Sequence, residues 1–310
     1  MRIGIVGAAG SVGAPAAFYI AISGLAAEIL LVDLRPNMVQ QHAMDITTAA
    51  SAQGVRVSAG TLDDLVGYDV VINAAGVHQG LINDRMEMLP KNISIIRDVS
   101  RKIAETSPGA VVITATNPVD PLNYATWRAG GFPRQQLLGY TLNDSLRFRE
   151  LVAKVKGVEV AQLAATVIGE HGTTQVPLFS SVRLDGRPVD FTDAEKAWIL
   201  GEIPHILRRF EELQTGRTAG WTCAVGLAAL VRAVRDDTGE VFPCSAVLDG
   251  EYGRRGISIG VPVSVGRKGI RHIEQWPLSA EESAAFDRSA ASMGEAARLV
   301  DETLFDTPLL

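Results

Sequence analysis

Three glycines stand at three-residue spacing in Gly7-Ala-Ala-Gly10-Ser-Val-Gly13, directly after the apolar run Ile3–Val6. Glycine lets a backbone turn tightly and approach a ligand closely. The helix that opens after such a turn offers unpaired N–H groups to an anion such as a pyrophosphate. The spacing is GxxGxxG rather than GxGxxG, and a turn that merely packs helix on strand would also use it. Asp33 supplies a second group, twenty residues beyond Gly13 at the end of the run Ile29–Val32. A carboxylate there can bond both hydroxyls of a nucleotide ribose, whereas a 2′-phosphate would meet like charge. Together these residues favour NAD over NADP, with Arg35 nearby as the one feature that would suit a phosphate.

These groups need a scaffold, and the first part of the chain reads as one. Ile3–Val6, Ile29–Val32, Val55–Ser58, Val70–Ala74, Val111–Thr114 and Leu137–Leu138 are short apolar runs, with helical stretches at Ala14–Ser23, Asn37–Ala50 and Ile93–Ala104. Apolar strands alternating with helices predict a parallel sheet covered on both faces, a doubly wound Rossmann arrangement. Thr116-Asn117-Pro118-Val119-Asp120-Pro121 marks a sharp strand-to-helix exit, because each proline restricts the residue before it.

After about residue 143 the pattern changes. Ser181–Val189 carries two short strands around Asp185-Gly186, a hairpin signal. Val241–Leu248, Asp249-Gly250 and Ile257–Val261 read as a second hairpin, among helical patterns at Asp193–Leu213, Thr222–Arg235 and Ala280–Leu304. The fold class is therefore α/β, with residues 1–143 a nucleotide-binding Rossmann domain and residues 144–310 an α+β catalytic domain packed tightly against it.

Composition narrows the function classes. Of 310 residues 47% are hydrophobic and 21% charged, a globular balance. The net charge is −6 with no Lys/Arg cluster, which disfavours nucleic acid as a partner. Ile3–Ala27 is uncharged and superficially resembles a signal peptide or a span, but Gly4, Gly7, Gly10, Gly13, Gly24 and Pro15 interrupt it. No membrane partner is expected. Cys223 and Cys244 are the only cysteines, with neither zinc spacing nor a disulfide framework, which suits a cytoplasmic location.

Gly7–Gly13, Asp33, Ala74-Ala75-Gly76, Thr116–Asp120, Asp144-Ser-Leu-Arg147-Phe-Arg149 and Gly169-Glu-His171-Gly172 occur in one order, followed by Gly260-Val-Pro262 and Gly266-Arg-Lys-Gly269. This series resembles the NAD-dependent L-lactate/L-malate dehydrogenase family almost end to end. The resemblance implies that Gly7, Gly10, Gly13, Asp33, Ala75, Gly76 and Asn117 bind NAD. It implies that His171 carries a proton to and from a 2-hydroxy acid, a role that suits imidazole, whose ordinary pKa of about 6.5 lies near working pH. Asp144 would hold the far nitrogen of that ring, with a helix N-cap as its alternative role. Arg147 would clamp the substrate carboxylate and Arg85 would polarise its carbonyl, with Asn117 orienting both carbonyl and nicotinamide ribose. Arg149 reads as a surface arginine or a subunit contact. No metal is implied, and the family forms dimers and tetramers, so a homodimer or homotetramer is expected.

The substrate turns on Gln79, at the family position where malate enzymes usually carry arginine and lactate-type enzymes commonly carry glutamine. A missing ion pair in a closed site discriminates strongly, which argues for a neutral-tailed 2-oxo acid over oxaloacetate. The neighbouring Gly80-Leu81-Ile82-Asn83-Asp84 and Thr173-Thr174 are atypical. Leu81 and Ile82 suit a longer apolar tail, and His78 a polar or acidic one. Allosteric bacterial members use a histidine seven residues before the catalytic one, where this chain has Ala164. Fructose bisphosphate is thus predicted to leave the apparent KM unchanged; a large fall on adding it would contradict this. Two other classes are disfavoured: the NAD-dependent glycosidases, because neither cysteine lies in their metal motif, and a non-catalytic NAD-binding relative, because it would not need His171, Asp144, Arg147 and Arg85 together.

Overall fold

The structure, a computed structural model, describes residues 1–77, 88–215 and 218–305. Up to Tyr140 it runs β1 (Arg2–Val6), α1 (Gly13–Ile22), β2 (Glu28–Val32), α2 (Pro36–Ala49), β3 (Arg56–Gly60), β4 (Val70–Asn73), α3 (Leu89–Thr106), β5 (Val111–Thr114), α4 (Val119–Gly130) and β6 (Leu137–Tyr140). All six strands are parallel, in the spatial order β3-β2-β1-β4-β5-β6. Because successive strand residues point to opposite faces, the Val/Ile/Leu runs feed two cores. Ile3, Ile5, Ile29, Leu31, Ile72 and Ile113 pack on one face, and Leu30, Val32, Val71 and Val112 on the other. This is why the runs are continuous rather than alternating.

The remainder runs α5 (Leu142–Lys156), β7 (Leu163–Ala164), β8 (Val167–Ile168), β9 (Val176–Pro177), β10 (Arg183–Leu184), β11 (Arg187–Pro188), α6 (Asp193–Glu212), α7 (Gly220–Asp236), β12 (Val241–Asp249), β13 (Arg255–Gly266), β14 (Gly269–Ile273) and α8 (Ala280–Phe305). Both predicted hairpins form. The β10–β11 turn has φ of 47° at Asp185 and 79° at Gly186, the positive values that a two-residue hairpin turn needs.

Sequence patterning does not reveal that β12, β13 and β14 continue the first sheet. Cys244 pairs with Tyr140 and Ser245 with Gly139 in antiparallel register, giving one nine-stranded sheet. β6 would otherwise present an unpaired edge, and the meander covers it. A smaller core of Phe148, Val152, Val182 and Ile199 packs α5 against α6. Among the described residues no helix is long and apolar enough to cross a membrane.

Candidate active site

The sheet order reverses direction between β1 and β4, and a doubly wound sheet opens a crevice at that point, beyond the carboxyl ends of its strands. A cavity of about 1290 Å³ lies there. Gly7 and Gly10 line it after β1, Asp33 after β2, Ala75 and Gly76 after β4, and Asn117 after β5. Gly7 has φ of 79°, and a Cβ on it would lie 2.5 Å from the Ala74 carbonyl oxygen. At Gly13 a Cβ would run into the Gly7 carbonyl and stand 2.8 Å from Ala8 Cα, so the first turn of α1 needs glycine to reach β1. No side chain caps that turn. Its N–H groups therefore suit the pyrophosphate of a dinucleotide.

Asp33 closes the rim. Its Oδ2 accepts the Ala9 N–H at 3.0 Å, and its Oδ1 accepts the backbone N–H (3.1 Å) and Nε–H (3.3 Å) of Arg35. The carboxylate is thus fixed beside the glycine turn, with the Arg35 Nε–H turned toward it. At the inner end, Asn92 of α3 donates from Nδ2 to the Asn117 carbonyl and accepts the Val77 N–H on Oδ1, each at 2.8 Å. Asn117 Oδ1 is buried without a hydrogen-bond partner, as an atom reserved for a bound group would be. These features fit NAD.

Beyond Asn117, two elements bring the ionisable groups together. His171 lies in the turn after β8, and Asp144 and Arg147 lie one turn apart on α5. His171 Nδ1 stands 2.5 Å from Asp144 Oδ2, with side-chain exposures of 8% and 5%. An ionised carboxylate only accepts, so Nδ1 carries the proton and Nε2 is left to exchange one. Arg147 Nη1 lies 3.3 Å from the other oxygen, Asp144 Oδ1. A guanidinium has five donors, so this contact leaves others for a second carboxylate. Thr141, not Asp144, is the N-cap of α5. The cap alternative for Asp144 fails because the helix begins two residues earlier, which frees the carboxylate to face the ring.

Family profiles for the lactate/malate dehydrogenase NAD-binding domain and for its alpha/beta C-terminal domain match residues 1–139 and 141–302. The chain belongs to the lactate/malate dehydrogenase family. It is an NAD-dependent oxidoreductase acting on 2-hydroxy acids. It is 36% identical over 298 residues to a malate dehydrogenase of Natronomonas pharaonis, covering 95% of this chain and 97% of that one. It is 32% identical over 301 residues to an L-lactate dehydrogenase of Geobacillus kaustophilus, covering 94% and 95%. A lactate dehydrogenase from Cryptosporidium parvum, solved with lactic acid and nicotinamide adenine dinucleotide, superimposes with a TM-score of 0.91 at 28% identity, covering 97% and 98%.

Within this dehydrogenase fold, His171, Asp144 and Arg147 meet in one place, and Gly7, Gly10, Asp33, Ala75, Gly76 and Asn117 line one cavity. Arg149 is half-buried, with its Nε lacking a hydrogen-bond partner, so it is not a simple surface residue. Gln79, Arg85, His78, Leu81 and Ile82 lie outside the described residues.

Two further residues hold the His171 turn: Asp120, which the Thr116–Asp120 motif contains without giving it a role, and Ser289, which has no signal in sequence patterning. Asp120, in the first turn of α4, accepts the His171 backbone N–H on Oδ2 at 2.7 Å. Ser289 of α8 accepts the Glu170 N–H at 2.7 Å, and its hydroxyl lies 3.1 Å from the Thr174 hydroxyl oxygen, tying the His171 turn to the last helix. Both contacts join segments far apart in the chain, and no local spacing encodes them. Among the described residues no cluster of three or more His, Cys, Asp or Glu side chains is arranged to hold a metal.

Proposed function

We propose that this chain is a lactate-type L-2-hydroxy acid dehydrogenase, reducing a neutral-tailed 2-oxo acid reversibly with His171 as general acid and base. The observation that carries the chemistry is the 2.5 Å contact of His171 Nδ1 with buried Asp144, in a turn that Asp120 ties to the segment whose Asn117 lines the dinucleotide cavity. When bound, NADH supplies the hydride that reaches carbon 2. Nε2 of the imidazolium gives its proton to the carbonyl oxygen as that oxygen gains the electron pair of the C=O bond. Asp144 holds the ring orientation and favours the imidazolium form. Arg147 presents donors to the 1-carboxylate, and the Asn117 amide steers the carbonyl. Arg85 adds its charge at the oxygen, following the family pattern.

Gln79 supports the neutral tail, since it offers no cation to a second carboxylate. A malate reading has its own support in the 36% identity to the malate dehydrogenase of N. pharaonis. The two free-energy demands differ: oxaloacetate needs a cation for its tail, which His78 would have to supply. Cys223 and Cys244 are buried thiols, in keeping with a cytoplasmic enzyme, and we assign it the homodimer or homotetramer of its family.

His171→Asn tests the chemistry. It should lower turnover of every 2-oxo acid by about 1000-fold or more while NADH still quenches protein fluorescence with unchanged affinity. Turnover at the wild-type level in this variant would overturn the proton-carrier role.

A further inference from the structure

Asp120 has features that the proton-carrier reading of His171 does not use. It is 1% exposed, two residues after the Asn117–Pro118 bond, in the first turn of α4. One oxygen accepts the His171 backbone N–H at 2.7 Å, and the Ser245 hydroxyl also faces the carboxylate. A core position of this kind costs stability, because a buried carboxylate lacks its water shell. Burial is the main cause raising its pKa to about 6, against the pull of the Ser245 hydroxyl, the His171 N–H and the His171 charge. An asparagine would accept the same N–H without that cost. The carboxylate therefore needs a reason beyond packing.

The reason lies in what it joins. Asn117 and Asp120 flank one strand-to-helix exit, and His171 belongs to a turn some fifty residues later, in the other half of the molecule. The backbone bond locks the proton carrier to the segment that carries Asn117, so the distance between the two is set by a single short connection. The carboxylate and the His171 charge also act on each other through space. We propose that Asp120 is a positioning residue for His171: it fixes the His171 turn against the Asn117 exit, and its charge supports the imidazolium alongside Asp144. This inference rests on His171 as the proton carrier.

The charged groups around the pair are few among the described residues. Asp144 and, through it, Arg147 face His171 from α5. Glu170, in the same turn, opposes the ionisation of Asp120, while its own carboxylate is held by the Thr174 N–H at 3.1 Å and hydroxyl at 2.5 Å. From β12 and β13 come only hydroxyls, Ser245 and Ser258, 2.9 Å apart, and from α8 the Ser289 hydroxyl. Asp144 is the carboxylate in direct contact with the ring, and Asp120 acts on His171 through the backbone N–H and through space.

The test compares wild type, His171→Asn, Asp120→Asn and Asp120→Ala, in NADH-dependent 2-oxo acid reduction across pH. Reduction needs imidazolium, so kcat/KM falls as pH rises through the pKa of His171. Asp120→Asn should move that alkaline limb to lower pH by about half a unit or more, with kcat at low pH within about threefold of wild type. Asp120→Ala also loses the acceptor and should lower kcat at least about tenfold, with NADH affinity unchanged, and Asn should rescue most of that loss.

Wild-type pH profiles in both variants, with His171→Asn inactive, would overturn the role of Asp120 and leave that of His171 intact. Equal loss in both variants with no movement of the limb would mark Asp120 as purely structural. Should Asp120→Ala fail to fold, the limb in Asp120→Asn still decides. An active His171→Asn would overturn both readings.

Discussion

Arg147 Nη1 stands 3.3 Å from one oxygen of Asp144 while the other oxygen of that carboxylate is 2.5 Å from His171 Nδ1. One buried negative charge thus faces both the residue we propose as proton carrier and the residue we propose to hold the substrate. On the proposed roles, substrate anchoring and proton transfer are linked, because whatever moves Asp144 disturbs both of its contacts. The pairing also explains how an arginine with only 16% of its side chain exposed is tolerated before substrate arrives.

Asp144→Asn separates charge from shape. The amide still fills the site, but the imidazolium loses its counter-charge and the ring tautomer is no longer dictated. Steady-state kinetics should show kcat reduced about 100-fold or more, with NADH affinity from fluorescence titration unaltered. A kcat within threefold of wild type would mean that Asp144 does not serve His171.

Arg147→Lys keeps the charge and removes the planar fork, which a carboxylate meets through two parallel bonds. The KM for the 2-oxo acid should rise about 10- to 100-fold. KM for NADH should stay near wild type, since Arg147 does not line the nucleotide cavity. A raised KM for NADH alone would place Arg147 on the wrong ligand.

Asp33→Ser removes the carboxylate that repels a 2′-phosphate and releases Arg35 from its 3.3 Å contact. The ratio of kcat/KM for NADPH to that for NADH should increase at least about tenfold. An unchanged ratio would show that cofactor choice is made elsewhere in the groove.

Stability should carry the signature of Asp120. Its pKa in the folded protein, about 6, lies above the ordinary aspartate value of 3.8, so over that window the folded state holds a proton the unfolded chain has lost. Its contribution therefore weakens stability as pH rises from about 4 to 6, and stays unfavourable above. Asp120→Asn should gain stability over wild type across the same window, read as the difference in urea midpoints. The comparison must be differential, because Glu28 and Glu282 have lowered pKa values and act in the opposite direction. A difference independent of pH would refute this.

Much of the nucleotide half is legible from residue order. Ile3–Val6, Ile29–Val32 and Val111–Thr114 are strands because apolar runs of four suit a sheet buried on both faces. Gly7 and Gly13 are readable because steric demand leaves no other residue type. The joining of β12 to β6 is not, since Cys244 and Tyr140 are a hundred residues apart and strand pairing leaves no mark on either sequence. Asp144 illustrates the same limit at short range. Its place inside α5 depends on where the helix starts, and Thr141 at the cap differs by three positions from the alternative. Asp120 and Ser289 act through backbone N–H groups of the His171 turn, contacts that any residue type at the receiving end could make.

The most direct test of the central claim is NADH oxidation by the purified protein against pyruvate, 2-oxoisocaproate, phenylpyruvate and oxaloacetate. The prediction is that a monocarboxylic acid has kcat/KM at least about tenfold above oxaloacetate, a preference of about 1.4 kcal/mol in the transition state. Preference for oxaloacetate would contradict the lactate-type reading, and NADH binding without turnover of any 2-oxo acid would contradict the proposed chemistry of His171.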